Sequence, residues 1–232
     1  MGIAADRPLI VINFKNYKEA QGEGALRIAR AAEAVSRRTG VPVIVAPPQV
    51  TLMQVARSVS IPVFAQHVDD VEPSSTTGFV PPESISASGA SGSLINHSEH
   101  RLPEDTVGRL VRRMRDLGLT SLVCASTPDE AARLARFSPD YIAIEPPELI
   151  GTGRAVSRVA PDVISRGVEA VRAVSPDVTV LCGAGIASGD DVRASIELGA
   201  MGVLVSSAIV RAPDPGAKLE EFARHASEAR GR

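Results

Sequence analysis

Eight short apolar runs, separated by amphipathic stretches, recur from one end of this chain to the other and restrict it to very few folds. The runs are Leu9–Ile12, Val41–Ala46, Val63–Ala65, Ser93–Ile95, Ser121–Cys124, Tyr141–Ile144, Thr179–Cys182 and Val203–Val205. They are nearly continuous in apolar residues and do not alternate, which is the pattern of parallel strands covered on both faces. Between them the apolar spacing becomes helical. Ile28, Ala31, Ala32 and Val35 share one face, as do Val107, Leu110, Val111 and Met114, and again Ile164, Val168, Val171 and Val174. Arg109, Arg112, Arg113 and Arg115 then read as the solvated face of the middle helix. Helix starts are marked as well: Ser126-Thr127-Pro128-Asp129-Glu130 sets a capping hydroxyl before a first-turn proline, and Ala160-Pro161-Asp162 resembles it. Ser188-Gly189-Asp190-Asp191 is a capping box with Asp in place of Glu. Eight runs in 232 residues give about 29 residues per strand–helix unit, close to the smallest βα repeat. No linker interrupts the series, so one domain over residues 1–232 is expected, either a closed βα barrel or an open doubly wound sheet.

Phosphate-binding signatures bear on that choice. Gly183-Ala184-Gly185 follows a run, but Ser188 stands where a dinucleotide fingerprint needs its third glycine, and no Walker-type Gly-Lys-Ser/Thr occurs. The expectation is therefore an α/β fold, a closed eight-stranded parallel (β/α)8 barrel. Aromatics make up 3% and Trp is absent, so its core must be Val, Ile, Leu and Ala. With 25 basic and 27 acidic residues there is no general field to attract nucleic acid or an anionic membrane, whereas a small anionic substrate needs only a local site. Cys124 and Cys182 are too few for a disulfide scaffold and read as small barrel filler. No run approaches the roughly 18 apolar residues of a membrane span. The first residues, Met1 to Asp6, lack a signal-peptide core, so the cytoplasm is expected and the Asn96-His97-Ser98 acceptor pattern carries no sugar.

In a βα barrel the chemistry sits where the strands end. The first run ends in Asn13-Phe14-Lys15; by residue type alone such a lysine is an ordinary loop residue. The fourth ends in Asn96-His97-Ser98-Glu99-His100. Ser98 and Glu99 can open a helix there, and its N-terminal dipole would keep the imidazole neutral. His97 and His100 have no third partner in sequence for a metal, and none is expected. The sixth run ends in Glu145, a carboxyl costly to bury unless it is paired or used. Pro146-Pro147-Glu148-Leu149-Ile150-Gly151-Thr152-Gly153 follows, with stiff prolines on one side and permissive glycines on the other. That is either a plain loop or a lid hinged at both ends. Gly183-Ala184-Gly185 and Ser206-Ser207 after the last two runs leave backbone N–H groups open to an anion.

Asn13-Phe14-Lys15, Asn96-His97-Ser98-Glu99, Glu145 through Gly153 and Cys182-Gly183-Ala184-Gly185-Ile186 together resemble the motif set of the triosephosphate isomerase family, most closely its short archaeal-type branch. The resemblance runs from Leu9 to about Phe222. It implies a TIM barrel and an isomerase of glycolysis and gluconeogenesis that interconverts dihydroxyacetone phosphate and D-glyceraldehyde 3-phosphate without a cofactor. Glu145 would be the base, neutral His97 the electrophile, and Lys15 the cation for phosphate and enediolate. Asn13 and Phe14 would belong to the substrate-binding set, with Ile150 and Gly151 on the lid and Gly185, Ser206 and Ser207 cradling phosphate by backbone N–H groups. Gln66 and Thr77-Gly78, in the polar segment after the third run, look like the family's interlocking subunit loop, with Asp69–Phe79 as the part that reaches a neighbour, which implies a homodimer. Two departures stand out. Longer members carry Gly-Gly where this chain has Ser206-Ser207, and the stretch between the fifth and sixth runs is short, a trimming that accompanies homotetramers in the archaeal-type branch. Three other readings compete: a sister isomerase of a four-carbon ketose phosphate, a non-catalytic phosphosugar-binding paralogue, and a barrel aldolase. The aldolase needs a Schiff-base lysine, and the remaining lysines, Lys18 and Lys218, do not end a run.

Overall fold

Each apolar run becomes a strand in the computed structural model, which describes residues 7–149 and 155–230. The strands are β1 Leu9–Asn13, β2 Val43–Ala46, β3 Phe64–Ala65, β4 Gly92–Ile95, β5 Thr120–Ala125, β6 Tyr141–Ile144, β7 Thr179–Cys182 and β8 Gly202–Val205. All pairings are parallel, in the spatial order β2-β1-β8-β7-β6-β5-β4-β3. A parallel bridge between Val45 and Val63 joins the two ends and closes the barrel. Prolines trim two of the expected strands. Pro42 and Pro62 lack an N–H, so each contributes only its carbonyl, to Ile10 (3.0 Å) and Val45 (3.1 Å), and the regular ladders begin after them.

Side chains that alternate along the strands sort into two apolar layers. Leu9, Val11, Ile44, Phe64, Leu94, Leu122, Tyr141, Leu181 and Leu204 fill the barrel interior. Their outward neighbours, such as Ile10, Val45, Val123, Ile144 and Val203, meet the helices. Cys124 lies in the inner layer as filler should, but Cys182 lies in the outer one, because its register on β7 sets it opposite in parity to Leu181. Both thiols are free.

The helices are α1 Glu23–Thr39, α2 Leu52–Ala56, α3 Pro82–Ser88, α4 Glu104–Asp116, α5 Pro128–Ala135, α6 Val156–Val159, α7 Pro161–Val174, α8 Gly189–Glu197, α9 Ser207–Val210 and α10 Pro215–Arg230. Thr127 caps α5 by accepting the Glu130 N–H, and Ser188 with Asp191 forms the expected box on α8. Ala160, by contrast, offers α7 no side-chain cap. The anticipated face of α4 is fully buried, whereas Val174, in the last turn of α7, is 46% exposed. Arg109 and Arg113 do not simply face solvent either. Arg109 pairs with Asp70 (2.7 Å) and Arg113 with Glu83 (2.7 Å) and Glu72 (3.3 Å), pinning both ends of the long stretch after β3 to α4. No helix among the described residues is long and apolar enough to cross a membrane.

Candidate active site

Glu145 continues the inward parity of Tyr141 and Ala143 by one more residue, so its carboxyl points into the top of the barrel and is only 5% exposed. On β4 the same alternation would send His97 outward, since Leu94 faces in and Ile95 out. Asn96 breaks it by adopting a left-handed backbone (φ 62°), a conformation its short polar side chain can support. His97 is thereby turned inward, 6% exposed, with Nε2 4.0 Å from Glu145 Oε2. That is too long for a hydrogen bond. Glu145 Oε2 is buried and has no hydrogen-bond partner among the described residues.

The charge states follow from the surroundings. Burial drives the Glu145 carboxyl up to about 7, opposed in part by the Cys124 thiol, Lys15 and Arg101. Burial also pulls the His97 imidazolium down to about 4, helped by the nearby positive charges of Lys15, His100 and Arg101. The ring is therefore neutral at ordinary pH. The expected helix at Ser98-Glu99 does not form: those residues make a turn, and α4 starts only at Glu104. A single backbone group selects the tautomer. The Glu99 N–H donates to His97 Nδ1 (3.2 Å), so the neutral ring carries its proton on Nε2, the nitrogen facing Glu145.

Lys15 also sits in left-handed backbone (φ 47°), its N–H held by Asn13 Oδ1 (2.9 Å) and its carbonyl by Gln66 Nε2 (3.1 Å). Gln66, expected with the subunit loop, thus braces the lysine turn, donating also to the Ala46 carbonyl (3.0 Å). A cavity of about 230 Å3 gathers Asn13, Lys15, His97 and Glu145 with Gly185, Ser206 and Ser207. Phe14 does not join them; it is fully buried in the outer layer. Ile150 and Gly151 lie outside the described residues. Gly185 has a left-handed backbone (φ 71°), and Ser206 precedes α9, its carbonyl accepting the Ile209 and Val210 N–H groups (3.1 and 3.0 Å) and leaving those of Ser207 and Ala208 without a partner within the helix. Gly183 serves the carboxyl instead. A Cβ there would stand 2.4 Å from Glu145 Cγ, so the glycine makes room for that side chain. Arg211 lines the same cavity, its guanidinium 5.6 Å from the Tyr17 ring centre.

Sequence reasoning missed the Cys124 contact with Glu145, the bracing by Gln66 and the space-making by Gly183. Strand parity carried a signal for Cys124, which shares inward parity with Glu145 on the neighbouring strand. His100 turns to His67, with ring centres 4.4 Å apart. Among the described residues no group of three or more His, Cys, Asp or Glu could hold a metal ion.

A closed βα barrel whose C-terminal rim carries a buried carboxyl, an inward neutral imidazole and a lysine around one cavity is an enzyme scaffold with its site at the usual end. The triosephosphate isomerase family model matches residues 8–225. Among curated relatives, the triosephosphate isomerase of Methanothermus fervidus is 47% identical over 217 residues, covering 94% of this chain and 98% of its own. Those of Caldivirga maquilingensis and Cenarchaeum symbiosum are each 49% identical, covering 94% and 95% of this chain and 96% and 98% of theirs. The chain belongs to the triosephosphate isomerase family and is an isomerase.

Proposed function

We propose that this enzyme interconverts dihydroxyacetone phosphate and D-glyceraldehyde 3-phosphate by moving a proton between adjacent carbons. The observation that carries the reading is the facing pair, a buried carboxyl without a hydrogen-bond partner on Oε2 and an Nε2–H imidazole 4.0 Å away. Glu145 takes the proton from the carbon beside the carbonyl and returns it to the neighbouring carbon. His97 donates its Nε2 proton to the forming enediolate oxygen and recovers one from the other oxygen. The family is itself the standard example of this pairing. A carboxyl near 7 is a stronger base than an ordinary one yet still ionised in half its copies at neutral pH. Lys15 supplies positive charge, oriented by Asn13, for the phosphate and the developing oxyanion. The same reading takes residues 1–232 as one barrel domain working in the cytoplasm.

A coupled assay with glyceraldehyde 3-phosphate, run beside a four-carbon ketose phosphate, tests the substrate. Turnover restricted to the triose is expected. The ionisation of Glu145 sets the pH dependence: kcat/KM rises with pH up to about 7 and falls about tenfold per unit below it. The second ionisation of a phosphate ester, near 6, lies about one unit lower. An acid limb centred near 4.5 would remove the raised carboxyl from the mechanism.

Gly185, Ser206 and Ser207 are read as holding the phosphate through backbone N–H groups, with Ile150 and Gly151 on the lid in the same role. The Ser206 hydroxyl is buried without a hydrogen-bond partner, so its removal forfeits no contact within the described residues. Ser206→Ala and Ser207→Ala should each cost about 1 kcal/mol or less in kcat/KM. Ser207→Asp places a carboxylate against the phosphate dianion and should raise KM steeply, with little change in activity on unphosphorylated glyceraldehyde. A hundredfold loss in either folded alanine variant would assign the binding to the hydroxyls instead.

Assembly enters through the stretch after β3. Asp69 pinches it shut, its N–H donating to the Val80 carbonyl (2.9 Å) and its carboxylate accepting the Val80 N–H (2.7 Å), and residues 72–79 are exposed. A second cavity of about 670 Å3, bordered by Lys15, Gln49, His67 and the 88%-exposed Val50, lies beside the site. The reading is a homodimer or homotetramer in which this loop enters the neighbour's cavity near Asn13 and Lys15. Light scattering with parallel assays should find the active species oligomeric; a fully active monomer would refute it.

A further inference from the structure

The turn that aims His97 is held from α5. Asn96, whose left-handed backbone reverses the parity of β4, accepts the Leu102 N–H on Oδ1 (2.8 Å) and donates from Nδ2 to the Cys124 carbonyl (3.0 Å) and to Glu130 Oε1 (3.4 Å). Arg101 donates to the Asn96 carbonyl (3.2 Å) and pairs with the same Glu130 oxygen. The other oxygen, Oε2, accepts the Ser126 N–H (2.7 Å) at the start of α5, while the Glu130 N–H reaches Thr127 Oγ1 (3.1 Å). One carboxylate oxygen suffices to complete the helix start. The second is turned away from its own helix toward two side chains of the β4 turn, and the carboxylate is mostly buried.

We propose that Glu130 is a positioning residue for the proton-transfer pair: through Asn96 and Arg101 it fixes the left-handed turn that faces His97 toward Glu145. This rests on the isomerase mechanism proposed above. Without the Glu130 charge, Arg101, whose side chain is 42% exposed, has no partner to hold it against the Asn96 carbonyl. Asn96 in turn loses a tie to α5, and the backbone conformation that turns His97 inward is left to two hydrogen bonds. Reacting groups misplaced by about 1 Å lose on the order of 10²-fold in rate, so a smaller rotation of the ring costs a substantial part of that. Lys15 and the phosphate-side residues belong to other strands and keep their places.

Glu130→Gln keeps the shape and the cap but weakens both long-range ties. It should lower kcat about tenfold while KM stays within about twofold. A second readout needs no substrate: nitrogen NMR of the His97 ring should show one neutral Nε2-protonated tautomer in the wild type and mixed tautomers in the variant. Arg101→Lys keeps the charge and removes the planar fork; it should give the same split, and it stands in should Glu130→Gln not fold. A kcat within twofold of wild type with an unchanged ring spectrum would overturn the inference. So would a rise in KM at constant kcat, which would make the network part of substrate binding. A wild-type chain without triose phosphate turnover would defeat the proposed function, and the ring spectra alone would then decide whether Glu130 orients His97.

Discussion

Replacing Glu145 by glutamine should lower kcat on the order of 10²-fold or more and leave KM for the triose phosphate nearly unchanged, because the shape remains and the base is gone. The same change should raise stability. A carboxyl whose pKa rises from 4.5 to about 7 on folding is neutral in both states below 4.5, so nothing is lost there. As pH climbs through 4.5 to about 7, the unfolded chain ionises first and the folded one is held back; above 7 the penalty is constant. At about 1.4 kcal/mol per unit that penalty is roughly 3 kcal/mol, which an uncharged glutamine avoids. Thermal unfolding should therefore show a Tm gain for Glu145→Gln at pH 8, at roughly 2–4 °C per kcal/mol for a chain of this size, that vanishes near pH 4. A variant retaining near wild-type kcat would end the proposed mechanism. Equal Tm gains at both pH values would show that folding does not raise the carboxyl's pKa. His97→Asn should also slow turnover without loss of fold.

Gly183→Ala should be nearly as damaging, through space alone. The added methyl would lie 2.4 Å from Glu145 Cγ and 3.0 Å from Cδ, closer than real side chains come, so the carboxyl must swing aside or β7 must shift. Backbone is the stiffer of the two in a closed barrel, where β7 is paired along its length with β6 and again, beside Gly183, with β8 at Cys182 and Val203. The carboxyl is expected to move, with a loss in kcat on the order of 10²-fold and a smaller change in KM. Crystallography of the variant reads the displacement directly. An unmoved Glu145 with full activity would show that the strand yields instead.

The two substitutions bear on the same device. Glu145 is buried and unsatisfied on one oxygen, and both features lower stability; on the proposed mechanism they are also what makes it a stronger base, while the room left by Gly183 lets it keep its place.

Much of this was legible in the chain. The run of eight apolar segments determined eight buried parallel strands, because a continuous apolar run, or a helical period of 3.6, is a property of at most a dozen neighbouring residues and needs no tertiary contact to be read. Lys15, His97 and Glu145 could be placed for the same reason, as polar residues at the ends of apolar runs, although the lysine read as an ordinary loop residue until the family motifs were set beside it. The prolines at 42 and 62 were equally visible, and they account for the shortened second and third strands. What tertiary structure alone decided is direction, distance and charge state. Strand alternation would have sent His97 outward, and only the left-handed Asn96, held by nearby Leu102 and by Cys124 and Glu130 from elsewhere in the chain, brings it in. The neutral imidazole follows from burial, from nearby cations and from the Glu99 N–H, not from the helix start that Ser98-Glu99 suggested. Gly183, a phosphate-loop glycine by sequence, is defined by the Glu145 side chain beside it at the end of the neighbouring strand. Sequence patterns determine which groups reach the rim because they are local. The contacts that set a pKa or a 4.0 Å gap join residues far apart in the chain, so only the closed barrel could decide them.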